Sequence, residues 1–227
     1  MHYHRLHFHT MKIIVISLFP EMFDHVLNIS MLKKAQDKDI ISLEYLNLRD
    51  YGLGQRRQVD DIPYGGGDGM LLKPEPLFAA IEAAKAKLPS AKVYLMTPRG
   101  ERLTQARTAA IAQTNADMII VCAHYEGYDE RITKLVDEQL SIGDYIVTGG
   151  EIPAMVLIDS VVRLLPGVLG GEQSAIIESF ADGRTLEFPQ YTRPPLFRKL
   201  SVPKVLLNGN HAEINAWRKA HSKRARK

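Results

Sequence analysis

Apolar residues fall along this chain in short runs whose period changes from one run to the next, and the order of those changes predicts the fold. Lys12–Leu18, KIIVISL, is continuous and β-branched, as suits a strand buried on both faces, and it is too short to cross a membrane. Ile41–Leu48 alternates, with Ile41, Leu43 and Tyr45 on one face, and predicts a second strand. Over Pro74–Lys87 the period lengthens to that of a helix, with Leu77, Phe78 and Ile81 on one stripe that Leu88 continues. A strand over Lys92–Met96, a helix around Thr104–Ala112, a strand over Met118–Cys122, a strand over Ile142–Val147 and a helix over Pro153–Leu165 complete the series. Such alternation predicts an α/β fold, a mostly parallel sheet with helices on both faces.

Three polar loops are then expected at the C-terminal ends of strands, where parallel sheets bind ligands: Thr97-Pro98-Arg99-Gly100 as a turn, Ala123–Arg131, and Thr148–Glu151. In the last of these, Gly149-Gly150 removes two side chains where bare backbone can reach a ligand, and Pro153 suits an early helical position. A tight turn that needs glycine for its dihedrals alone explains the pair equally well. Arg49–Met70 is a long irregular stretch with a basic pair, an acidic pair and four glycines between Gly65 and Gly69, readable as a nucleotide-approaching loop or as a flexible surface loop. Asp60 and Asp61 are weighed as helpers of a magnesium ion held with phosphate. Turn-capping accounts for them more simply, and no enclosed metal site is expected.

Composition narrows the classes. At 227 residues the chain has room for one α/β domain with a small appendage and needs no disulfide or metal to hold it. Its single cysteine, Cys122, sits in MIIVC and reads as a small buried hydrophobe in a reducing compartment, so a cytoplasmic protein with no membrane or secretory segment is expected. The net charge of +3 is modest, but six of the last ten residues are Lys or Arg, a tail that attracts polyphosphate or is simply solvated. The loop after the first strand, FPEMFDHV, has no glycine, which excludes a dinucleotide fingerprint there, and no Walker loop occurs. The histidine-rich residues 1–10 fit no later pattern and read as an extension or engineered scar. The main domain is expected over 11–170, a linker over 171–191, and a short proline-punctuated C-terminal element over 192–227 that ends in a helix beginning at Asn210 or His211.

Taken together, PYGGGDGM, YLMTPRG, HYEGYDER, SIGDYIVTGGE, PGVLGGE, SFADG, YTRP and GNHAEINAWR resemble, in order and over nearly the whole chain from Met11 to Trp217, the TrmD family of bacterial tRNA (guanine-N1)-methyltransferases in the SPOUT superfamily. The resemblance implies S-adenosyl-L-methionine-dependent methylation of N1 of the guanine just 3′ of the anticodon in tRNA. It also implies a homodimer with its active site between subunits, and a trefoil knot formed by the segments around Tyr125 and Gly143. Cofactor contacts carried over from the family fall on Leu95, Met96, Thr97 and Pro98; on Ala123, Tyr125, Glu126 and Gly127; on Ile142, Gly143, Asp144, Tyr145, Ile146 and Val147; and on Gly149, Gly150 and Pro153. Ala123 stands where well-known members have glycine. Asp144 reads as a carboxylate within an apolar strand that satisfies backbone or ligand donors.

The resemblance also assigns the chemistry. N1 of guanine carries a proton at neutral pH, so a base must take it. The family's aspartate before Ser-Phe falls on Glu178, and its assisting arginine on Arg163. Glutamate performs the same transfer from a longer stem, and Asp182, four residues on, is the alternative base should that segment be helical. Arg163 would stabilise charge on guanine O6, or else is a solvated helix residue. Other readings are a SPOUT methyltransferase acting on another RNA, a non-catalytic RNA-binding or cofactor-sensing module, and a metabolic nucleotide-binding enzyme. The second is kept open by Glu178 and by a chain that stops at Lys227, where many members continue with basic helices.

Overall fold

The computed structural model describes residues 9–170 and 178–225. Strand β1 (Met11–Ser17) leads through the short α1 (Asp24–Leu27) and α2 (Ser30–Asp37) to β2 (Ile41–Asn47). A two-residue pair, β3 (Asp60–Asp61) with β4 (Leu71–Leu72), precedes α3 (Pro74–Lys87). Then follow β5 (Lys92–Arg102), α4 (Gln105–Thr114), β6 (Met118–Cys122), β7 (Glu138–Ser141) and α5 (Glu151–Val162). The five long strands form one parallel sheet in the order β2-β1-β6-β5-β7.

Period-two alternation splits the apolar side chains between two cores. Met11, Ile13 and Val15 of β1, with Met118 and Ile120 of β6, meet Phe23, Leu27 and Leu32 from α1–α2 and Leu157, Ile158 and Val161 of α5. Ile14, Ile16, Ile119 and Val121 point the other way, onto Leu77, Ala80, Ile81 and Ala84 of α3. Helices therefore cover both faces, and β6, buried along its whole length, is the centre. The helices between β1 and β2 have no counterpart in the sequence reading, because α1 has only four residues and α2 buries just Leu32 and Ala35.

Two expectations are corrected next to the sheet's C-terminal edge. Thr97–Gly100 is not a turn that ends β5; the strand continues to Arg102, and its register against β7 jumps so that Met96 and Glu101 both face Leu140. Residues 97–100 thus bulge from one strand. Gly100 permits this, since a Cβ there would lie 2.4 Å from Leu140 N. The strand expected over Ile142–Val147 lies earlier, at β7, and 142–147 is irregular. Ser141 Oγ accepts from Gly143 N at 3.3 Å and donates to Gly143 O at 3.0 Å, and Gly143 has φ of 154°, so the chain leaves the sheet at once. The helix after the glycine pair begins at Glu151 and ends at Val162, with Arg163 as its C-cap.

The chain divides into two compact units, one through Leu169 and one from Gly170. Within the second, β8 (Thr185–Leu186), a hairpin of β9 (Leu196–Phe197) and β10 (Leu200–Ser201), α6 (His211–His221) and β11 (Lys223–Arg224), which pairs with β8, are the regular elements. Asn210 caps α6 by accepting from Ala212 N and Glu213 N. Residues 171–177 of the expected linker lie outside the described residues, whereas 178–191 hold turns and β8.

Candidate active site

A cleft of about 720 Å³ opens where β5, β6 and β7 end. Its size is that of a small-ligand site. Three segments build it. The bulge of β5 contributes Met96, Thr97 and Pro98; the loop after β6 contributes Ala123 and Tyr125–Gly127; the loop after β7 contributes Ile142, Gly143, Tyr145–Val147, Gly149 and Gly150, with Pro153 of α5 beneath. Of the sequence-derived cofactor positions two stand apart. Leu95 is wholly buried in the core beneath, and the Asp144 side chain is 86% exposed, 3.6 Å from Arg102, so it satisfies no buried donor.

The walls suit a flat, partly apolar ligand. Tyr145 is 57% exposed and Ile146 79%, although both belong to a run apolar enough to imitate a buried strand. A ligand lying between them would remove that apolar surface from water. Glycines allow close packing beside these walls. A Cβ on Gly150 would lie 2.6 Å from Ala123 N and from Cys122 Cα, so the glycine pair presses directly on the end of β6. Gly150 N donates to Ala123 O at 2.6 Å, and His124 bridges Gly149 in antiparallel fashion. Tyr125, with φ of 59°, is held in the left-handed region, a strained conformation of the kind found at ligand clamps.

Polar groups brace these walls. Tyr128 Oη accepts from Arg99 at 3.1 Å and reaches Gln139 Oε1 at 3.2 Å, and Arg99 also meets Glu130 at 2.5 Å, raising the guanidinium pKa further. Glu151, the first residue of α5, is 2% exposed; its Oε1 accepts from Ser17 Oγ at 2.7 Å, and its Oε2 lies 3.5 Å from His124 Nδ1. Burial pushes the neighbouring Cys122 thiol well up, and the Glu151 carboxylate adds to the effect. The glycine-rich stretch is part of the site as well. Tyr64 and Leu71 line the cleft, Met70 O accepts from Glu126 N at 3.0 Å, and Gly65, Gly66, Gly67 and Gly69 all have positive φ. A Cβ on Gly69 would lie 2.5 Å from Glu126 Cγ.

Sequence reasoning passed over His124, Tyr128 and Glu151, although each lies inside a motif that it singled out. Their signal was a polar residue beside a strand end, which periodicity does not register. At the acidic pair, Asp61 accepts from Ile62 N and Lys73 Nζ, which holds its carboxyl low, and Asp60 lies in β3; both belong to a loop closure.

Among the proposed catalytic residues, Arg163 ends α5 with its N–H donating to Asp159 O. In the second unit, Glu178 and Asp182 line a small hollow with Thr185, Glu187, Phe188 and Ser222. The segment is a turn rather than a helix, with Phe180 at φ 68° and Gly183 at φ 82°. Asp182 is consumed by that turn. It accepts from Thr185 Oγ1 at 2.5 Å, Thr185 N at 2.6 Å and Arg184 N at 3.0 Å, and these bonds, the Thr185 hydroxyl first, pull its pKa down to about 2.

A model of the family described as tRNA (guanine-1)-methyltransferase TrmD matches residues 11–227. Over 209 residues the chain is 54% identical to the tRNA (guanine-N(1)-)-methyltransferase of Staphylococcus haemolyticus, a match covering 92% of this chain and 84% of that protein. Its identity to the enzyme of the same name from Staphylococcus aureus strain MRSA252 is 55% over 210 residues, with the same coverage. The crystal structure of the tRNA (m1G37) methyltransferase from Aquifex aeolicus superposes with a TM-score of 0.77 at 36% identity, over 94% of this chain and 89% of that one.

Proposed function

The chain belongs to the tRNA (guanine-1)-methyltransferase TrmD family, and from that premise we propose that it methylates N1 of the guanine immediately 3′ of the anticodon, position 37 of tRNA. The observation that carries this reading is the cleft at the ends of β5, β6 and β7, lined by exposed Tyr145 and Ile146 and by the glycine pair that packs onto β6. Membership implies use of S-adenosyl-L-methionine, and the residues present fit it. Apolar walls suit the adenine, and Gly149-Gly150, packed onto the end of β6, draws the segments that line the cleft together.

When bound, S-adenosyl-L-methionine supplies the methyl group on a sulfonium. The chain's own residues do the rest. Glu178 takes the proton from guanine N1 as the N1–methyl bond forms, and Arg163 stabilises the negative charge that gathers on O6. Asp182 is a weak base, since its pKa of about 2 leaves little driving force for accepting a proton. Its place is to shape the turn that carries Ser179 and Phe180.

Two features support a homodimer whose active site lies between subunits. Ile152 and Val156 expose an apolar face of α5, and Met22, Val26 and Ile29 are exposed on and around the neighbouring α1. The close approach of Ala123–His124 to Gly149–Gly150 supports the knotted arrangement of these two segments. No helix among the described residues is long and apolar enough to cross a membrane, and the free, buried Cys122 fits a cytoplasmic setting.

The test is labelled methyl transfer to two tRNA transcripts, one with guanine and one with adenine 3′ of the anticodon. Guanine-dependent incorporation by the wild type, falling roughly a hundredfold or more in Glu178→Gln and in Arg163→Ala with cofactor affinity kept, is the expected result. Incorporation that persists in Glu178→Gln but collapses in Asp182→Asn would move the base. Cofactor binding without transfer to either transcript would leave a binding module.

A further inference from the structure

The buried carboxylate of Glu151 takes no part in the chemistry above, yet it sits where the ends of β1 and β6 meet the start of α5. Ser17, at the end of β1, is itself buried; its Oγ donates to Glu151 Oε1 at 2.7 Å and accepts from Phe19 N at 2.9 Å. On the other side of the carboxylate, Oε2 faces His124 Nδ1 at 3.5 Å across a gap that only a glycine permits. A Cβ on Gly149 would lie 2.4 Å from Glu151 Oε2 and 2.5 Å from His124 Nδ1. His124 is fixed in place by Phe19, whose ring centroid is 5.0 Å away, and by an edge contact with Tyr125 at 5.0 Å.

The polar accounting at this point is incomplete. His124 Nδ1 is shut off from solvent and has no hydrogen-bond partner, and its nearest acceptor is Glu151 Oε2, a few tenths of an ångström beyond a normal hydrogen bond. An unmet buried donor forfeits the hydrogen bond that water would give it. A side-chain adjustment that shortens the gap recovers this, and the two segments concerned, already joined by Gly150 N to Ala123 O, both line the cleft.

We propose that Glu151 and His124 are a positioning pair for the cofactor: filling the cleft draws His124 Nδ1–H onto Glu151 Oε2, which locks the loop after β6 to the glycine pair. The inference rests on the cleft being the S-adenosyl-L-methionine site. Neither residue touches the reacting atoms. Their effect is on how tightly the walls hold the ligand, with Ser17 anchoring the carboxylate to the sheet. A carboxylate suits this place because it accepts on both sides at once, from a hydroxyl and from an imidazole. Glutamine keeps the shape but has one acceptor oxygen, so it serves Ser17 or His124 and not both equally.

The experiment is calorimetric titration of the full chain with S-adenosyl-L-methionine, with steady-state kinetics and melting temperature recorded for each variant. Glu151→Ala and His124→Ala are each expected to weaken cofactor binding by tenfold or more. Glu151→Gln should recover part of the loss, and kcat and the KM for tRNA should change by less than about threefold. The double variant should bind no more than about twofold more weakly than the worse single one, because the two side chains act as one unit. Should Glu151→Ala fail to fold, the milder His124→Asn replaces it in the same comparison. Cofactor affinity unchanged in folded variants would overturn the pair, as would single effects that multiply or a fall in melting temperature with no change in affinity. A wild type that binds no cofactor would instead remove the assignment of the cleft itself, and the pair with it.

Discussion

Gly150 is a residue that backbone packing beside the cleft requires. Its missing side chain lets the segment before α5 lie against the end of β6, and a methyl group there would meet Cys122 and Ala123 backbone atoms, which have no flexible end to move aside. Gly150→Ala should therefore destabilise the fold by about 1–3 kcal/mol, the usual range for overpacking, and weaken cofactor binding more than a distant variant of equal stability. Chemical denaturation and cofactor titration of the same sample check both. Gly66 makes the contrast. A Cβ there would meet nothing within 4 Å, but its φ of 81° strains any other residue, so its glycine serves the turn alone. The two glycine-rich motifs look alike in the sequence and answer to different constraints.

Among the elements, legibility follows burial. The boundaries of α3 and β6 were readable because their apolar residues face a core and keep its period, whether 3.6 or the unbroken run of a central strand. The segment after β7 defeated the same reasoning. Ile142, Tyr145, Ile146 and Val147 line the cleft, and periodicity does not distinguish the wall of a cleft from a strand in a sheet. The bulge in β5 was hidden for another reason: Pro98 and Gly100 signal a turn, and only the pairing with β7 shows that the strand resumes. The family motifs nevertheless named most of the residues that line the cleft, since they mark positions and not conformations. Sheet residues also carry a titration. Burial lifts the phenols of Tyr45 in β2 and Tyr94 in β5 from 10.0 to about 12, with smaller additions from the carboxylates of Asp24 and Glu138 respectively. A phenol kept neutral by folding contributes stability that is complete below pH 10 and is lost as pH rises from 10 toward 12. The melting temperature should fall across that window, and Tyr45→Phe/Tyr94→Phe should flatten the fall while leaving the neutral-pH transition within a few degrees, a comparison thermal scans at stepped pH provide.

At the scale of the molecule, the proposed homodimer would make the apolar face of α5 an interface, and its active site would then need two copies. Val156→Glu, placed on that exposed face, should shift sedimentation toward the monomer. It should also cut methyl transfer at low protein concentration by tenfold or more, with recovery at high concentration, whereas activity independent of concentration in a proven monomer would defeat the shared site. The order of strands bears on biosynthesis too. β6 lies between β1 and β5 but follows both in the chain. While the polypeptide is being made, β1 can pair with β2 soon after both emerge, but its other edge stays open until Cys122 has left the ribosome, 75 residues after β2 ends at Asn47. During that interval two apolar strand edges wait for the same late partner, which makes them the segments where newly made chains are most prone to pair with one another, and the insertion of β6 the step that a chaperone would have to protect.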